Sequence, residues 1–132
     1  MKTIILALFS LLVVSIAQVL APDKAFEAFW NSLEKHLKAG DEGIFDKDFC
    51  IESKGKKYSR KVSIRIYMEE YKKVAAQPDE PDDGSYDISA YTDDGLLKVK
   101  KFQKNNKMLY YLLAKPNKNV EGGFMFYRHY LV

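Results

Sequence analysis

The stretch 85–132 constrains the fold most, because it reads as four strands joined by turns short enough to make neighbours antiparallel. Asp93-Asp94-Gly95 and Lys104-Asn105-Asn106-Lys107 place residues that tolerate positive φ between runs of β-branched and aromatic side chains, the local signature of hairpins. Tyr86, Ile88 and Ala90 alternate with Asp87 and Ser89, and Leu97 and Val99 alternate with Lys98 and Lys100, so the first two strands each have a polar face. The third strand, 108–114, and the fourth, 123–131, carry large apolar side chains on both faces and must be covered on both. In the fourth, strict alternation puts Phe124, Phe126 and Arg128 on one side and Met125, Tyr127, His129 and Leu131 on the other.

The upstream chain supplies helices to cover one side. Asp23 is placed to cap a helix whose apolar residues Phe26, Phe29, Trp30, Leu33 and Leu37 form one stripe, and Gly40 ends it. Burying those side chains contributes on the order of 10 kcal/mol as an upper bound. Residues 41–48 predict a short helical turn capped by Asp41, and 49–51 a short strand. Ser63 is expected to cap a second long helix through Ile64, Tyr67, Met68, Tyr71, Val74 and Ala75. Pro78, Pro81 and the four acids around them then make 77–84 a surface loop. The expected class is α+β, a curved antiparallel sheet wrapped around two long helices plus one short helix.

Residues 1–17 have the parts of a secretory signal: Lys2, the apolar run 4–14, and small residues at Ser15 and Ala17. That run is short of the roughly 20 residues a membrane span needs, so cleavage before Gln18 is expected. The mature chain, 18–132, is then one extracellular domain without a membrane attachment, its length suiting a single core. Cys50 is the sole cysteine, which excludes an internal disulfide. The 21 basic and 18 acidic residues are too balanced to point to nucleic acid. The cluster Lys54, Lys56, Lys57, Arg60 and Lys61 reads either as an anion site or as a solvated turn. Calcium is not supported, since an EF-hand register from Asp79 would put Pro81 and Ala90 where ligands belong.

The order of helix, short helix, short strand, basic turn, helix and four-stranded meander resembles the nuclear transport factor 2-like (SnoaL-like) superfamily. The resemblance is carried locally by 26–37, by Gly55-Lys56-Lys57-Tyr58-Ser59-Arg60 and by the closing segment 122–130. It implies a cone-shaped sheet around an apolar pocket, with the outer sheet face as a homodimer surface. It also implies a small apolar or amphipathic ligand, for which Trp30, Tyr71, Tyr86, Asp87, Tyr110, Phe126 and Arg128 are the expected pocket residues. Enzymes of the superfamily place an acid or a His-Asp pair in that pocket, and no such pair can be matched here.

No hydrolase elbow, zinc-spaced cluster or phosphate-binding glycine loop occurs, so no catalytic residue, metal or cofactor is assigned. Arg128, on the face of Phe124 and Phe126, needs a partner: an anionic ligand, Asp87 or another acid across the sheet, or solvent at the strand end. His129, on the opposite face, reads as a packed or interface residue, and a Cys50–His129 nucleophile pair is open only because both residues exist. The nine tyrosines suit either a ligand cage or a half-wet interface. A binding domain is favoured, and a small pocket enzyme of the isomerase or dehydratase type is the alternative.

Overall fold

The computed structural model describes residues 20–77, 84–88 and 91–132. Within them run two long helices, α1 (Pro22–Ala39) and α2 (Arg60–Ala75). Six strands accompany them: β1 (Phe45–Ser53), β2 (Lys56–Lys57), β3 (Ser85–Asp87), β4 (Leu97–Phe102), β5 (Met108–Pro116) and β6 (Phe124–Leu131). The expected signal segment 1–17, the middle of the acidic loop (78–83) and the end of the first meander strand (89–90) lie outside the described residues.

The strands form one sheet in the order β2-β1-β6-β5-β4-β3. Its C-terminal part is the antiparallel meander that the turns predict, with Gly95 at φ 80° and Asn106 at φ 65° supplying the left-handed residues. The wholly antiparallel sheet is corrected at one joint, where β1 runs parallel to β6. Parallel neighbours are joined by long connections, so no local turn signal announces this pairing. The class is α+β with a mixed sheet.

Helix α1 begins two residues earlier than expected. Ala21 occupies the cap position without a side-chain bond, Pro22 takes the first helical position where its missing N–H costs nothing, and Asp23 is a first-turn acid rather than the cap. Gly40 ends the helix in the left-handed conformation, as its position implies. Ala25, Phe29, Leu33 and Leu37 are buried along the stripe, with Phe26 and Trp30 half-buried at its margin.

Helix α2 also starts earlier, and Ser59 is its cap, accepting from the Val62 N–H at 3.2 Å. Ser63 is instead buried inside the helix, its Oγ accepting from the Ile51 N–H of β1 at 2.9 Å. Both serines precede apolar residues, but only Ser59 leaves Ser63 free to satisfy a strand amide that would otherwise be buried unpaired. Val74 and Ala75, expected in the core, are exposed. The turn expected over 41–48 is a 3-10 turn, Glu42–Ile44, in which Asp41 accepts from the Gly43 N–H at 2.8 Å, and β1 is longer than the expected 49–51.

Both helices lie on one face of the sheet, and the core between them is aromatic. Phe29, Phe45, Phe49 and Phe126 are all at most 2 % exposed, and Phe49 stands 4.7 Å from Phe126 between ring centres. Edge-on and tilted contacts of this kind add to simple area burial. The pairing of β6 shifts as it leaves this core. Ala114 of β5 faces Phe126 while Leu113 faces Arg128, so Tyr127 is an extra residue, a β-bulge. Further irregularities interrupt β1 against β6 and β4 against β5, and bulges bend and twist the strands that carry them.

Candidate functional site

The bulge decides which residues of β6 face the helices. Phe124 and Phe126 point inward, the extra residue resets the alternation, and His129 and Leu131 then point inward in place of Arg128 and Tyr130. The β1 partners agree, since Ile51 and Ser53 lie beside His129 and Leu131, whereas Cys50 and Glu52 lie beside Arg128 and Tyr130. This reverses the assignment that strict alternation gives to Arg128, His129 and Leu131.

Above the packed phenylalanines, the inward face and the helices leave a cavity of about 510 Å3. Its sheet wall is made by Ile51 and Ser53 of β1, Tyr110 and Leu112 of β5, and His129 and Leu131 of β6. Its helix wall is made by Trp30 of α1, by Tyr58 just before α2, and by Ile66, Tyr67, Glu70 and Val74 of α2. The volume is in the range of small-molecule sites, which are mostly apolar with a few placed polar groups.

Of the polar groups on this lining, which include Ser53, Tyr58, Tyr110 and Glu70, Tyr67 and His129 are the two joined to each other. Tyr67 Oη and His129 Nδ1 share a hydrogen bond that joins α2 to β6 across the cavity floor. Tyr110 stacks on the imidazole with ring centres 4.7 Å apart, and Phe126 meets the Tyr67 ring edge-on at 4.9 Å. Burial lowers the His129 pKa to about 4, so the ring is neutral at physiological pH. Burial, and then the neighbouring Tyr110 and Tyr86 hydroxyls, push the Tyr67 phenol well above its usual value. The pair is therefore uncharged, and among the described residues lining the cavity only Glu70 carries a formal charge, 3.5 Å from Lys73.

Of the residues expected in a pocket, Trp30 and Tyr110 line the cavity. Phe126 lies fully buried beneath it, and Tyr71 is half-buried against the same core. Tyr86 stands at the sheet edge, 5.2 Å from the Phe26 ring and 6.5 Å from the Trp30 ring. Asp87 is exposed on β3 opposite Lys100. Arg128 lies on the other face, where it donates to the Asp48 and Tyr127 carbonyls and its guanidinium rests 4.2 Å from the Tyr127 ring centre. Backbone carbonyls thus answer its need for a partner, and neither an inward ligand nor Asp87 is its partner. Cys50 and His129 project from opposite faces and form no pair.

Sequence reasoning missed the Tyr67–His129 pair because Tyr67 reads as one more ring of a core stripe and His129 falls on the wrong face under regular alternation. The signal that finds both is the inward face read with one extra residue at Tyr127. The basic cluster resolves into a tight β1–β2 turn, with Lys54 at φ 51° and Gly55 at φ 80°, while Arg60 donates to the Phe45 and Asp46 carbonyls at 3.1 and 3.0 Å.

The outer face is organised differently. Tyr111 and Tyr130 stack with ring centres 4.5 Å apart, Lys98 lies over Tyr111 at 4.7 Å, and Lys115 lies over Tyr127 at 5.7 Å. Leu113 and Met125, like these rings, are half-buried within the chain. A second, open hollow of about 420 Å3 lies against the β4–β5 turn near Gln103 and Leu109. No group of His, Cys, Asp and Glu among the described residues is arranged to hold a metal, and no described helix is long and apolar enough to cross a membrane.

No protein-family model matches the chain, and no curated protein does. Among solved structures it is similar to a de novo designed protein with a curved β-sheet, at 21% identity and a TM-score of 0.48, covering 81% of this chain and 94% of that one.

Proposed function

We propose that this protein is a secreted, non-enzymatic domain that binds a small apolar or amphipathic molecule in the cavity between its helices and the inner face of its sheet. The observation that carries the proposal is the cavity of about 510 Å3, walled by rings and aliphatic side chains, with one uncharged hydrogen-bonding pair at its floor. A nuclear transport factor 2-like origin fits the element order and a sheet bent over two helices, and it would make this cavity the interior of the cone. Release from the cell would follow removal of 1–17.

The test is uptake of an environment-sensitive apolar dye by the mature chain, together with native mass spectrometry of protein purified from its natural source. Saturable uptake at one site per chain, or a copurifying small molecule, is the expected result. Absence of both would overturn the proposal.

An enzymatic role is the second reading, and the Tyr67–His129 pair is the feature that favours it. A histidine lowered to about 4 is poorly matched to general-base work near neutrality, and Asp87 and Arg128 do not converge on the cavity. A homodimer through the outer sheet face remains the proposed assembly, because Tyr111, Leu113, Met125, Tyr127 and Tyr130 share that face and neither α1 nor α2 covers it. Leu131, expected there, turns inward.

A further inference from the structure

We infer that the molecule bound in the cavity is uncharged and carries one hydrogen-bond acceptor oxygen, a carbonyl or ether type of group, which is held by the Tyr67–His129 pair. This rests on the cavity being a binding site, and adds the ligand's charge and polar chemistry. Between them a neutral tyrosine and a neutral imidazole carry two exchangeable protons. Their mutual hydrogen bond uses one. Whichever tautomer is present, one proton stays available to a third partner: the N–H at Nε2 if Tyr67 donates, or the Tyr67 O–H if Nδ1 donates. The pair is thus a donor at the floor of a chamber walled mostly by rings and aliphatic side chains, with the hydroxyls of Ser53, Tyr58 and Tyr110 and the Glu70 carboxylate on its walls.

The charge of the ligand follows from the same wall. A carboxylate seated here would lose its water and meet no cation among the described lining residues, with Glu70 on the rim of the same cavity. A cationic ligand could approach Glu70, but that carboxylate is largely exposed, already beside Lys73, and gives little recognition in water. An uncharged acceptor gains one neutral hydrogen bond at the floor and apolar contact with Trp30, Tyr58 and Leu112.

The probes are three naphthalenes of matched size: acetylnaphthalene, isopropylnaphthalene and naphthoate, each competed against a bound apolar dye on the mature chain. The ketone is expected to bind about fivefold more tightly than the hydrocarbon, the value of one net neutral hydrogen bond, and naphthoate to bind most weakly. Removing one partner leaves the other's proton, so the informative variant is Tyr67→Phe with His129→Leu, in which the ketone preference disappears while hydrocarbon binding shows that the chamber is intact. Should that variant not fold, the ring-nitrogen resonances of His129 in the wild-type protein give a second readout, expected to shift with the ketone and not with the hydrocarbon. Equal affinities without a selective shift, or naphthoate binding most tightly, would overturn this inference and leave the cavity as a binding site. Failure of all three probes to bind would instead remove the binding site itself, and the inference with it.

Discussion

The two faces of β5 and β6 hold similar numbers of large side chains and cover them by different means. Inward, Leu112, Ala114, Phe126 and His129 are buried beneath α1 and α2, and the one hydrogen-bonding ring among them is held neutral. Outward, Tyr111, Leu113, Tyr127 and Tyr130 lie away from α1 and α2, and the charged heads of Lys98, Lys115 and Arg128 lie over the tyrosine rings. The difference teaches that a strand apolar on both sides can be part-covered on one of them by its own chain without a second layer of helices, the outer rings staying half-buried. Long cationic side chains shield rings while keeping their charges wet.

The contrast breaks most severely if the inner face loses its central ring. Phe126→Ala removes a fully buried side chain in contact with Phe29, Phe45, Phe49 and Tyr67, and about 3–5 kcal/mol of stability should be lost in denaturant unfolding.

Acid should separate the faces next. His129 has a folded pKa of about 4 against an ordinary 6.5, so the unfolded chain binds more protons between those values. Stability is therefore full above 6.5 and falls as pH drops toward 4, by roughly 3 kcal/mol in all. His129→Gln should flatten that part of the stability profile, measured by urea unfolding across the window. A variant profile parallel to wild type would mean that the imidazole is not buried as described.

Smaller effects belong outside. A double-mutant cycle of Tyr111→Ala and Tyr130→Ala should return a coupling of about 0.5–1.5 kcal/mol for the stacked pair. Lys98→Ala should cost no more than about 1 kcal/mol. Sedimentation sharpens the same comparison, since a Tyr111→Glu, Leu113→Glu variant should be monomeric if the outer face joins two copies, whereas a wild type already monomeric contradicts that assembly.

Legibility in the sequence followed the range of the interaction. The turns at 93–95 and 104–107, the stripe of α1 and its stop at Gly40 are local, and the structure has them where the residues say. The cap of α2, expected at Ser63, lies at Ser59, because Ser63 is engaged by long-range pairing with the Ile51 amide. The parallel contact of β1 with β6 joins distant segments and leaves no local mark. The bulge at Tyr127 has no glycine or other signal of its own, yet that one residue exchanges Arg128 for His129 on the inner face. Trp30, Tyr110 and Phe126 were reachable as rings near a pocket, but the pair at its floor was hidden behind that slip.

Adjacent residues of β1 offer the most direct test that the inner face is the binding face. Ser53 lines the cavity beside Leu131, and Glu52, its neighbour, projects outward beside Tyr130; both are half-buried. Dye titration of Ser53→Trp and Glu52→Trp therefore places the same indole on either side of one strand. Uptake should be lost in Ser53→Trp and kept in Glu52→Trp; loss in Glu52→Trp with uptake retained in Ser53→Trp would contradict the account.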